Sequence, residues 1–131
     1  MLLTKSVHSP IDHKRDGLRI LATRVRGRGL LSSAYDVWMA NLGPSEQLLT
    51  AGRAEEISWR EFTSRYRNEI LTSTDVDSAN VNINNHGQKF TLRLIKHLAK
   101  SQTVTLLCHC DEDQKRCHRH ILKAMIESTS I

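Results

Sequence analysis

The sequence predicts a single α/β domain: three layers, with a short, mostly parallel sheet covered by helices on both faces. Three observations predict it. Residues 104–108, Val-Thr-Leu-Leu-Cys, form an apolar run without polar alternation, as a strand covered on both sides requires. Helical spacing brackets that run, and helix, strand, helix in quick succession favours a parallel layer over an all-helical bundle. A chain of 131 residues matches one core of the usual size, about 100–150 residues.

Composition narrows the class further. Hydrophobic residues make up 39% and charged residues 25%, the balance of an ordinary globular chain rather than a disordered one. No apolar run approaches the roughly 20 residues that span a bilayer, and the N-terminus lacks a secretory pattern, so no membrane partner is expected. Three cysteines, an odd number crowded together, do not form a disulfide framework and point to the reducing cytoplasm.

Residues 1–17, polar and broken by Pro10 and Gly17, read as a flexible lead-in with room for a short edge strand, and the α/β domain is expected over residues 18–131. Leu18-Arg-Ile-Leu-Ala-Thr reads as a short buried strand. The basic loop Arg24-Val-Arg-Gly-Arg-Gly follows, with Gly27 and Gly29 permitting tight turns, at the end of a strand where open α/β sheets place ligand-facing loops. Residues 34–42 alternate well enough for a second strand, with Val37 and Met39 on one side and Trp38 on the other. Gly43-Pro44 ends it, and Ser45 is placed to cap a short helix over residues 46–50.

Ser58 with Glu61 forms a capping-box pattern. Trp59, Phe62, Tyr66 and Ile70 recur behind it at helical spacing, the stripe of a core-facing helix rather than a base-stacking platform. Residues 72–86 read as a polar loop with one extended piece at Val81–Ile83. From Gly87 a second helix runs to about Lys100, with Phe90, Leu94 and Leu98 four apart and Leu92 and Ile95 beside them. After the apolar strand and an acidic loop, Ile121, Leu122 and Met125 mark the inner side of a third helix.

The reactive residues gather at the seam between that strand and that helix. All three cysteines, three of the seven histidines and two arginines lie within residues 108–120. Leu106-Leu107-Cys108 followed by Cys117-His118-Arg119 resembles the signature of the family called domain of unknown function 488 (DUF488). Arg24, Arg28-Gly29, Trp38, Leu42-Gly43-Pro44-Ser45, Trp59, Phe62, Tyr66 and Glu69 agree with its YeaO-like branch, and the resemblance spans roughly residues 18–126. It implies a compact three-layer α/β domain and no established activity. Gly27 stands where the family usually has proline, and Cys110 where an acidic residue is common.

The preferred functional reading is a basic, cysteine-containing pocket for an anionic small molecule or nucleotide. Arg24 and Arg28 leave one strand end, Cys117, His118 and Arg119 open a helix after another, and Cys108 lies between them as the candidate catalytic group. Arginines and a helix N-terminus favour the thiolate, the reactive form of cysteine.

Three other readings compete. Residues 1–30 carry seven cations against Asp12 and Asp16, a surplus equal to the whole net charge of +5. A nucleic-acid or protein binding module would use that third and leave the cysteines structural. His109-Cys110, five residues and Arg116 match the phosphatase loop pattern, but Asp111, Glu112 and Asp113 oppose a dianion and no glycine shapes the loop. No cofactor is predicted; zinc is the metal that Cys108, Cys110, Cys117 and either His118 or His120 would suit. Against zinc stand the missing Cys-x2-Cys knuckles and the expectation that Cys108 and Cys110 point apart.

Overall fold

The computed structural model describes residues 1–79, 82 and 87–131. Four strands form one parallel sheet in the order β1-β4-β2-β3: β1 Leu2–Ser6, β2 Leu18–Leu21, β3 Val37–Trp38 and β4 Val104–Cys108. Among the described residues six α-helices accompany them: α1 His13–Asp16, α2 Glu46–Arg53, α3 Trp59–Leu71, α4 Asp75–Ser78, α5 Lys89–Ser101 and α6 His118–Glu127. β4 is buried along its whole length between β1 and β2, as its unbroken apolar sequence predicts.

Residues 1–17, expected as a lead-in with room for a short edge strand, carry β1 at the edge of the sheet, in register with β4 from Leu2 opposite Val104 to Ser6 opposite Cys108, and the one-turn helix α1. Local pattern shows little of this strand because the residues buried there are Leu2, Ser6, Val7 and Asp16, and β4 supplies the hydrogen bonds. Asp16 anchors the segment. Its buried carboxylate accepts from Lys5 Nζ at 3.1 Å, from the Asp12 amide at 3.0 Å and from Arg19 Nη1. Gly17, at φ 60°, makes the turn into β2 so tightly that a Cβ would lie 2.0 Å from the Thr103 carbonyl oxygen.

The two faces of the sheet are covered unequally. Leu2, Ile20, Ala22, Val104 and Leu106 face the main core with Phe62, Tyr66, Leu92, Ile95 and Leu122 from α3, α5 and α6. On the other face Leu21 and Leu107 meet Val7, Leu30, Ala34 and Tyr35 in a smaller cluster. There Thr105 Oγ1 donates to the Asp16 carbonyl at 2.6 Å, which satisfies a buried hydroxyl.

The strand expected over residues 34–42 shrinks to Val37–Trp38, flanked by 3-10 turns at Ser32–Ala34 and Ala40–Leu42. At this edge of the sheet β3 pairs with β2, Val37 opposite Ile20 and Trp38 opposite Leu21. Ser45 and Ser58 cap α2 and α3, accepting from the amides of Leu48 at 3.2 Å and Glu61 at 3.1 Å. The α2 helix runs on to Arg53, and Glu61 pairs with Arg65 rather than closing the capping box. In α5 the buried residues are Leu92 and Ile95, whereas Phe90 is 45% and Leu94 54% exposed. The polar loop after α3 holds α4, capped reciprocally by Thr74 and Asp77. Of the extended piece expected at Val81–Ile83, Val81 and Ile83 lie outside the described residues.

Candidate functional site

The end of β4 and the start of α6 bring the three thiols together. Cys108 is the last residue of β4, Cys117 is the N-cap of α6, and their sulfurs lie 3.1 Å apart. Cys110 completes a group whose three Sγ atoms all lie within 4.8 Å of one another. The expectation that Cys108 and Cys110 point apart fails: alternate residues of a strand share a face, and the bend at residues 109–110 after β4 leaves Cys110 on the side of Cys108.

Arg119 organises this group from inside the protein. It is fully buried, and its Nη1 lies 2.8 Å from Cys108 Sγ. Its fork also donates to the carbonyls of Cys110 at 3.3 Å and of Asp111 and Glu112 at 3.0 Å each. Three backbone carbonyls of the acidic loop are thereby tied to the first turn of α6. The guanidinium expected to face a ligand instead holds the loop and its own side of the sulfur group.

The thiols share charge unequally. Hydrogen bonds from Cys108 and Cys117, with the nearby Arg119 charge, hold the Cys110 thiol far below the ordinary range. The same couplings to Cys110, with burial, push Cys108 up; coupling to Cys108 and Cys110, with burial, pushes Cys117 up. The Arg119 charge favours the thiolate at both Cys108 and Cys110. Exposure decides which sulfur a reagent meets: Cys108 and Cys117 are buried, and Cys110 is half-buried.

His118 stands behind the group. Burial lowers its pKa, so the neutral ring is favoured. Its Nε2 is 2.5 Å from the Ala22 carbonyl oxygen, which can only accept, so the proton sits on Nε2. The Nδ1 lone pair is left facing Cys117 Sγ at 3.9 Å. The ring rests edge-on against Tyr66, whose hydroxyl donates to the Leu42 carbonyl at 2.5 Å.

Cys110, Cys117 and His118 open into a cavity of about 680 Å³ against α2 and α3. Its walls include Trp59 and Phe62, stacked at 5.1 Å with ring planes 10° apart, and Arg53 and Arg116. Trp59 and Phe62 therefore line a cavity as well as packing on the core, while Tyr66 and Ile70 from the same stripe are fully buried in it.

The residues predicted to form one basic pocket are dispersed. Cys117 and His118 line the sulfur cavity, Cys108 and Arg119 lie beneath it, and Arg28 lines a separate cavity with His8 and His109. Arg24 lines neither of these and donates to the Gly43 carbonyl at 2.9 Å. Arg53 was not foreseen, since an arginine on the exposed side of a short helix carries no local signal. Arg116 was visible only through the phosphatase-like spacing.

No helix among the described residues is long and apolar enough to cross a membrane. The family model described as DUF488-N3a, an active DUF488-N3 subclade, matches residues 2–130. No curated protein and no solved structure matches the chain.

Proposed function

The chain belongs to the DUF488 family, and from that premise we propose that its sulfur-lined cavity binds an anionic, planar small molecule such as a nucleotide, with Cys110 as the reachable thiolate. One juxtaposition supports this reading: a sulfur group, an aromatic wall and two guanidinium groups share one cavity. Trp59 offers a face on which a ring can stack. Arg53 and Arg116 supply the planar donors that suit phosphate or carboxylate. Cys108, the thiol singled out by sequence, lies beneath, hydrogen-bonded to Cys117 and Arg119. Free thiols of this kind suit the reducing cytoplasm.

The test is alkylation of the native protein with iodoacetamide, read by peptide mass spectrometry, with and without adenosine monophosphate. Cys110 should react first, the nucleotide should slow it, and Arg116→Gln should remove that protection. Unchanged alkylation across a series of nucleotides and aromatic carboxylates would sink the reading.

A second reading rests on the same sulfur group. Three thiols within 4.8 Å of one another make three sulfur donors suited to zinc, with the His118 Nδ1 lone pair outside that group, facing Cys117 at 3.9 Å. Cobalt(II) separates the two: intense sulfur-to-cobalt absorption together with loss of Cys110 alkylation favours the metal. Absence of that band, with alkylation unchanged, favours the open thiolate.

A further inference from the structure

We infer a second small-molecule site, distinct from the sulfur-lined cavity, that takes an oxyanion (phosphate or carboxylate) carried on a compact apolar body. It is a cavity of about 450 Å³ at the carboxyl ends of β1, β4 and β2. After β4 the chain turns into α6, which packs in the main core. After β2 it runs over the opposite face, where Leu30, Ala34 and Tyr35 cover Leu21 and Leu107. Neighbouring parallel strands whose continuations leave to opposite faces open a crevice at their carboxyl ends, the usual ligand position in open α/β sheets. His109 reaches into this crevice while its neighbour Cys110 reaches into the other cavity.

The lining selects an anion. Arg28 is exposed at the cavity, and its side chain has no hydrogen-bond or ion-pair partner among the described residues. The His8 ring lies 5.7 Å from that of His109, and its nitrogens are likewise unpartnered among the described residues. His109 is held in place, its Nε2 donating to the Val25 carbonyl at 3.2 Å. Ser33 adds a hydroxyl, and no lining residue is a carboxylate. A metal cation would meet the Arg28 charge, whereas an oxyanion is attracted to it.

The remaining walls, Ile11, Leu30, Leu31 and Ala34, are apolar, so the anion should be attached to a body that buries against them. The size lies within the roughly 300–1,000 Å³ of small-molecule sites. The backbone is shaped to close here. Gly27, at φ 95°, lies so near His109 that a Cβ would fall 2.6 Å from the ring. A concave site with a single guanidinium favours a small molecule over a nucleic-acid backbone, which needs a strip of cations along an open surface.

The experiment is isothermal titration of the full chain with phenyl phosphate and, separately, benzoate. At least one probe should bind saturably, and the comparison shows whether a tetrahedral or planar anion is preferred. Arg28→Gln should weaken binding tenfold or more and His8→Gln several-fold, both positions being exposed and their variants checked for native circular dichroism. Protein carbamidomethylated at Cys110 should bind the probe as before, which keeps this site separate from the one proposed above. The inference is overturned by absence of saturable binding at low millimolar concentration, by binding indifferent to Arg28→Gln, or by binding abolished on carbamidomethylation. Displacement of the probe by a short DNA duplex at lower concentration would also overturn it, in favour of a nucleic-acid surface.

Discussion

The guanidinium of Arg119 lies 2.8 Å from the sulfur of Cys108 through Nη1, and both groups are buried. The same side chain fastens the carbonyls of residues 110–112. A single residue thus couples the end of β4, the acidic loop and the first turn of α6. Replacing Arg119 by methionine should cost about 3–5 kcal/mol of stability, because the buried Cys108 sulfur and three partly buried carbonyls lose a charged donor. Lysine should not rescue it, since one ammonium cannot reproduce the fork. Urea denaturation of wild type, Arg119→Met and Arg119→Lys checks both statements.

Asp16 should give stability its acid dependence. Burial alone would raise its pKa, but the Asp12 amide, Lys5 and Arg19 together hold it below the ordinary 3.8. A depressed folded-state pKa contributes stability that is complete above the unfolded value and is lost as pH falls through the folded one. Asp16→Asn should therefore destabilise the protein by about 3 kcal/mol at pH 7, where a buried ion pair loses its partner. The gap between variant and wild type should narrow as pH drops below about 4. Thermal melts from pH 7 to pH 3 measure that gap.

The orientation of α5 can be read from two substitutions. Ile95 is fully buried and Phe90 is 45% exposed, although both belong to apolar rows of the helix. Ile95→Ala should cost about 2–4 kcal/mol and Phe90→Ala under about 1 kcal/mol. Equal losses in chemical denaturation would contradict the helix register.

Tyr66→Phe removes the hydroxyl that donates to the Leu42 carbonyl at 2.5 Å. The ring stays in place against His118, so the expected loss is about 1–2 kcal/mol, set by the unsatisfied buried carbonyl. A denaturation midpoint unchanged from wild type would show that water replaces the donor.

Much of this molecule was legible locally. Ser45 and Ser58 announced helix starts because a cap needs only its own next three residues. β4 announced itself by five residues without polar alternation, and the Cys117-His118-Arg119 motif announced the family. The Phe62, Tyr66 and Ile70 stripe set the buried face of α3 by spacing alone.

Other features depended on partners far away in the chain. β1 is a strand because β4, about a hundred residues on, supplies its hydrogen bonds; Leu2-Leu-Thr-Lys-Ser by itself has no decisive pattern. Phe90 and Leu94 share spacing with Leu98, and only the position of α6 and the sheet left them outside the core. The sequence determined the α/β class, the principal helices and the residues that carry chemistry, because propensity, capping and periodicity act over a few residues. The tertiary structure decided that Arg119 faces inward, that Cys110 and not Cys108 is the reachable thiol, and that Arg28 sits with His8 and His109. Burial and long-range contact set those outcomes, and neither is a property of a local stretch of chain.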